Sequence, residues 1–157
     1  MADSRTAEST RQAADSAAAD FVDRFAQAWA DPSPERLADL AHPDVRLRQP
    51  MMRPMRGQAA WREAVRELLG LVPDLRGEVV RWAASGPDLF IELRLRGTLA
   101  RRPYEWTLVD HIRLEDGLVR ERVSYFDPLP LMLEGLKRPS RLLGNLRLQL
   151  RRRQPAA

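Results

Sequence analysis

From Arg76 to Asp127 the chain alternates apolar and polar residues with a period of two, and that long run constrains the fold more than any other feature. Val80 and Trp82 share one face of a first strand, which Ser85-Gly86-Pro87-Asp88 turns back. Leu89, Ile91, Leu93 and Leu95 line one face of the next, opposite Glu92, Arg94 and Arg96, which read as an outer charge ladder. A turn near Arg101-Arg102-Pro103 leads to Tyr104, Trp106, Leu108, Asp110, Ile112 and Leu114 on one face. Asp116-Gly117 makes a hairpin, and a last strand runs from about Leu118 to Phe126. Strands joined by such short turns are antiparallel neighbours, and their clean apolar face demands a cover.

The cover lies upstream. Phe21, Val22, Phe25 and Trp29 recur at helical spacing from about Ala17 to Ala30, where Asp31-Pro32 stops them. Ser33-Pro34-Glu35 supplies a capping hydroxyl, a first-turn proline and an early acid, so a second helix with Leu37, Leu40 and Ala41 inward is expected to run to His42-Pro43. Val45, Leu47 and Gln49 alternate with Arg46 and Arg48 as a short strand. A methionine-rich loop, Met51-Met52-Arg53-Pro54-Met55, comes next. After Gly57, the residues Trp61, Ala64, Val65, Leu68, Leu69 and Val72 keep a 3.6-residue period up to Pro73. The fold class is α+β: three helices in the N-terminal half against a mainly antiparallel sheet.

Residues 1–16 are polar and alanine-rich and are expected to form a flexible leader; residues 17–136 are the folded domain, and 137–157 a basic tail. The leader lacks the apolar centre of a signal peptide, and no run of eighteen apolar residues occurs, so the expected address is cytoplasmic. Net charge is +4, but the tail holds seven basic residues and no acid, leaving 19 basic against 22 acidic residues over 1–136. A mildly acidic body argues against nucleic acid as a partner. Leu142, Leu143, Leu146 and Leu150 beside arginines suit a helix stripe on an acidic membrane surface or partner, while Leu146, Leu148 and Leu150 fit a strand equally well. With no cysteine and only His42 and His111, no thiolate nucleophile or histidine metal site is expected, and no cofactor.

Asp110 stands out, because the alternation points it toward the core among Trp106, Leu108, Ile112 and Leu114. A buried carboxylate is costly unless paired, and an apolar environment raises a carboxyl's pKa, so Asp110 is a candidate acid, base or protonated donor. The structural alternative is an aspartate satisfied by a tyrosine, an arginine or water. If Leu99 pairs with Tyr104 across an Ala100–Pro103 turn, Leu93 lies opposite Asp110. On the other side, a two-residue Asp-Gly turn puts Val123 opposite, whereas a three-residue turn with a glycine bulge puts Arg122 there and brings Ser124 inward. Asp127-Pro128 offers a carboxylate at the sheet's rim, but fits better as a helix cap followed by a first-turn proline. Gln49 shares a face with Val45 and Leu47 and can donate into a cavity. His111 lies on the opposite face from Asp110 and is expected to be solvated.

Phe21-Val22-x-x-Phe25-x-x-Ala28-Trp29, His42-Pro43-Asp44-Val45, the helix after Gly57, and Val109-Asp110-His111-Ile112-Arg113-Leu114-Glu115-Asp116-Gly117 together resemble the SnoaL-like branch of the nuclear transport factor 2-like superfamily over about residues 18–130. The resemblance implies a curved, mixed, mainly antiparallel sheet wrapped like a cone around the helices, with Asp110 on a pocket-lining position. Ketosteroid isomerases resemble the chain around Asp110, but their general-base aspartate matches Gln49 and their oxyanion tyrosine matches Phe25. Limonene-epoxide hydrolases resemble it at Tyr125-Phe126-Asp127, while their arginine and second aspartate fall near Ile91 and Leu93. The catalytic aspartate of the polyketide cyclases matches Ser124. Each known set is incomplete here, so Asp110, alone or with Asp127, is the expected acid/base. Gln49, Ser124 and Tyr125 are the expected orienting groups, and Phe25, Trp29, Met51, Met52, Leu93 and Trp106 the walls, for an apolar ligand. The alternatives are a protein that binds such a ligand without chemistry and an interaction module using the tail. The superfamily's outer sheet face implies a homodimer, here through the side bearing Trp82, Phe90 and Val109.

Overall fold

The computed structural model describes residues 2–99 and 101–136, so the basic tail at 137–157 lies outside the described residues. The chain divides into two units, one ending at Phe126 and the other beginning at Asp127. The first holds helices α1 (Ala2–Ala30), α2 (Pro34–Ala38) and α3 (Gln58–Leu71) and strands β1 (Ala41–Arg48), β2 (Met55–Arg56), β3 (Arg76–Ser85), β4 (Asp88–Leu99), β5 (Arg102–Glu115) and β6 (Leu118–Tyr125). The second holds helix α4 (Leu129–Leu136). No described helix is long and apolar enough to cross a membrane.

The six strands form one curved sheet in the order β2-β1-β6-β5-β4-β3, antiparallel throughout except where β1 runs parallel to β6. Helix α1 begins at Ala2, through the segment expected to be a leader. Alanine has the best intrinsic helix propensity, and the segment is rich in it. The stripe Ala18, Phe21, Val22, Phe25, Ala28 and Trp29 is buried, with Phe21 against Phe25 (5.8 Å between ring centroids) and Phe25 against Trp29 (6.2 Å). Burying each of these large side chains is worth about 1.5–3 kcal/mol. Helix α2 is shorter than expected. Ser33 caps it, accepting from the Arg36 N–H at 3.1 Å, but it ends at Ala38, and His42-Pro43 lie inside β1 rather than terminating a helix.

Two details of the loops bear on the site. The methionine loop contains a strand the sequence did not announce, β2, paired with β1 at Leu47↔Met55. Gly57, at φ 84, turns from that strand into α3 while its N–H donates to Val45 O at 2.8 Å, which sets where Trp61 enters the core. On β3, a bulge at Val80 reverses the facing of the residues after it. Trp82 pairs with Ile91 and therefore lies on the opposite face from Phe90 and Val109, not beside them. The outer apolar surface is instead Phe90, Val109 and Tyr125, all exposed. The charge ladder is present on this face, with Arg81–Glu92 and Arg96–Glu105 both at 2.6 Å.

Candidate functional site

Asp110 projects into the core as the alternation requires, between Leu108 and Ile112, and its side chain has 0% exposure. Its neighbours differ from those expected. The β4–β5 connection is a two-residue turn, Leu99↔Arg102, in which Arg101 takes φ 70, so every pairing shifts. Ile91, not Leu93, lies opposite Asp110, and Leu93 pairs with Leu108.

On the β6 side neither expected register holds. Asp116 and Gly117 both have positive φ, 51 and 72, and form a two-residue turn pairing Glu115 with Leu118. One residue later the register slips by one, leaving Arg120 as the extra residue, and Ser124 then falls opposite Asp110. The slip also turns Arg122 inward and Tyr125 outward. Arg122 is 8% exposed and Tyr125 58%, so Tyr125 is not an interior orienting group.

The result is a polar cluster in an apolar core. The Ser124 hydroxyl donates to Asp110 Oδ1 at 2.6 Å. Arg122 Nε lies 2.9 Å from Asp110 Oδ2, an ion pair in which the N–H is not aligned as a hydrogen bond, so both atoms lack a hydrogen-bond partner among the described residues. The Arg122 guanidinium sits over the indole of Trp61, its carbon 4.9 Å from the ring centroid. The indole N–H groups of Trp61 and Trp29 are likewise buried without a partner. Each such atom costs about 1–3 kcal/mol, which makes the cluster a poor way to gain stability alone. Trp61 carries no signature of its own in the sequence, and Arg122 faces inward, with Ser124, only in one of the two registers the sequence leaves open. Trp61 reads as helix core, and Arg122 turns inward only because of the slip at Arg120.

The remaining expected residues divide. Phe25, Trp29 and Leu93 are buried in the core, and Trp106 is half-buried beside Tyr104. Gln49 is half-buried and donates to Met52 Sδ at 2.6 Å. Met51 is 62% exposed and Met52 37%, because the loop after β1 turns outward, with Met51 at φ 67; neither forms an interior wall. Asp127 is exposed in the second unit, where its Oδ1 accepts from the Leu129 N–H at 2.9 Å and caps the start of α4. His111 is on the outer face but not simply solvated: it stacks on Phe90 (4.6 Å, 9°) and meets Asp88 at 2.9 Å. A half-open cavity of about 170 Å³ lies elsewhere, lined by Ala17, Ala84, Pro87, Leu89, Leu114 and Gly117 among others, and Asp110 does not line it.

The model of the SnoaL-like domain matches residues 22–122, from Val22 in α1 through strands β1 to β5 and into β6, and so takes in Asp110 and Arg122. The chain belongs to the SnoaL-like domain family. No curated protein matches it in sequence. Among solved structures, this SnoaL-like chain is similar to an LEH-like epoxide hydrolase of M. tuberculosis (16% identity, 83% of this chain and 97% of that one, TM-score 0.63). It is also similar to a candidate SnoaL-like polyketide cyclase of Jannaschia sp. CCS1 (19%, 74% and 90%, 0.66). A third is a protein of Catenulispora acidiphila DSM 44928 with a ketosteroid isomerase-like fold, solved with trimethylamine (15%, 68% and 85%, 0.63). These likenesses establish the fold of this SnoaL-like protein; its chemistry rests on its own side chains.

Proposed function

We propose that the protein is a cofactor-independent enzyme of the isomerase, cyclase or hydrolase type, acting on an apolar small molecule with Asp110 as general base. The observation that carries this is the division of labour around one buried carboxyl group. Arg122 cannot give up its proton, and the Ser124 hydroxyl is committed as donor to Oδ1, so Asp110 is the group of the cluster able to accept a proton. Arg122 is the group able to steady negative charge as it develops on a substrate oxygen, in surroundings that strengthen such an interaction. Phe25, Trp29 and Leu93 supply apolar surroundings. Asp127 is engaged as a cap, so Asp110 acts without it. The same reading takes the protein as a cytoplasmic homodimer, paired through the Phe90, Val109 and Tyr125 face, with no nucleic-acid partner.

The test is conversion of a panel of neutral ring ketones, lactones and epoxides, followed by mass spectrometry. Asp110→Asn is expected to abolish whatever conversion the wild type shows, while ligand affinity stays within a few-fold. Conversion at the wild-type rate in the variant removes Asp110 from the mechanism.

A second reading, binding without chemistry, is favoured by the complete burial of Asp110 and its pairing with Arg122. A substrate reaches the carboxyl only when the side chains over it part. Retention of panel members by both proteins without any product supports this reading over the first.

A further inference from the structure

Between Val45 and Arg62 the chain carries five arginines, three of its five methionines and no acid, leaving 14 basic against 22 acidic residues over the rest of 1–136. Most of this stretch is the β1–β2 edge of the sheet and the loop that joins those two strands. We propose that this edge docks on an anionic lipid surface, with Met51 and Met52 entering the headgroup layer and Arg48, Arg53 and Arg56 meeting lipid phosphates. The proposal is independent of any chemistry at Asp110.

The arginines are placed for an anion. Arg46 and Arg56 stand opposite each other across β1 and β2, a like-charge pair that costs a sheet stability. Arg46 is offset by Glu121 at 3.0 Å, whereas Arg48, Arg53 and Arg56 are exposed and have no carboxylate partner among the described residues. Charge alone guards a short edge strand against pairing with another chain, but that purpose does not expose methionines. Met51 and Met52 are exposed in the loop between these arginines, with Met51 at φ 67, a conformation that costs a non-glycine residue energy. The choice among anions follows from this apolar part. Single-stranded nucleic acid is held by exposed aromatic rings, and the one aromatic residue of the stretch, Trp61, is buried. A stable protein interface needs a far larger apolar core, with aromatic anchors, than two methionines offer. A lipid surface needs only a few apolar side chains at the acyl boundary with bases at the phosphates, and flexible methionine adapts to so fluid a partner.

The test is flotation of the full chain with vesicles of phosphatidylcholine alone, or mixed about 3:1 with phosphatidylglycerol. The wild type is expected to float with the mixed vesicles only, and to be released at about 1 M salt, where charge is screened within about 3 Å. Arg48→Gln/Arg53→Gln/Arg56→Gln is expected to weaken binding about 100-fold, about fivefold per arginine. The basic tail is present in every protein compared, so its share cancels in the ratio. A triple variant that binds like the wild type overturns the proposal. The chain has no cysteine, so a fluorophore attached through Met51→Cys reads this loop alone. Its emission is expected to shift to the blue with mixed vesicles, while the same label on Ser85→Cys, at the far edge of the sheet, stays unchanged. A label at position 51 that stays in water while the protein floats assigns the binding to another segment and overturns the proposal. Equal affinity for soluble polyglutamate, untouched by Met51→Ser/Met52→Ser, overturns it in favour of an acidic protein partner.

Discussion

Removing the Arg122 guanidinium while Asp110 stays in place strands a carboxylate in the core. Arg122→Met is therefore expected to lower stability by about 3–5 kcal/mol, and adding Asp110→Leu to recover most of that loss, since a well-packed apolar pair can replace a buried ion pair. Urea unfolding midpoints of the wild type, the single variant and the double variant give the answer; a single variant within about 1 kcal/mol of wild type shows that the pair does not behave as a buried ion pair. Asp110 itself was legible in the sequence, because its inward orientation depends only on alternation within β5. Arg122 was not. Its orientation depends on the slip at Arg120, where contacts from both near and far in the sequence meet. The Arg120 guanidinium reaches His42 Nδ1 at 2.7 Å and Glu115 at 3.1 Å, and the pairing of β1 with β6 is irregular over the same stretch, between Ala41↔Val119 and Arg46↔Glu121.

At the scale of elements, the hairpins and helix faces were readable from turn residues and periodicity, while registers were not. A turn shorter by two residues than expected between β4 and β5 moved the partner of Asp110 from Leu93 to Ile91 without changing its face, and the sequence there carries no residue that selects a two-residue turn outright. The start of β4 is pinned to β5 by Asp88. The His111 ring holds its carboxyl below the usual carboxylate range, helped by Arg113, against the opposing effect of burial. A carboxylate with a lowered folded-state pKa contributes stability above its unfolded value of about 3.9 and loses it as pH falls through the folded value. The wild type is thus expected to lose more melting temperature than Asp88→Asn between about pH 5 and about pH 3. Equal losses mean that the Asp88 contacts add nothing to folding.

For the whole molecule, the family and the antiparallel meander of the last four strands were within reach of the sequence, since the order of weak motifs matched even where none was specific. The parallel β1–β6 pair joins segments from opposite ends of the domain and has no local signature. Nor did the sequence separate Trp82 from the outer face, because a bulge is invisible to simple alternation. With Phe90, Val109 and Tyr125 exposed together on that face, the proposed homodimer predicts a wild type of twice the chain mass, and a monomeric Val109→Arg variant, in light scattering coupled to gel filtration. A monomeric wild type contradicts that assembly.

The proposed function stands or falls on a buried Asp110, held by Ser124 and Arg122, working as a general base. It is tested most directly by ring opening of 5-nitrobenzisoxazole, in which a base takes the ring C–H proton as the N–O bond breaks to give a coloured cyanophenolate. The wild-type protein is expected to accelerate the reaction over buffer, and Asp110→Asn to lower that acceleration by roughly 100-fold or more. A wild type no faster than buffer, or a variant equal to the wild type, would contradict it.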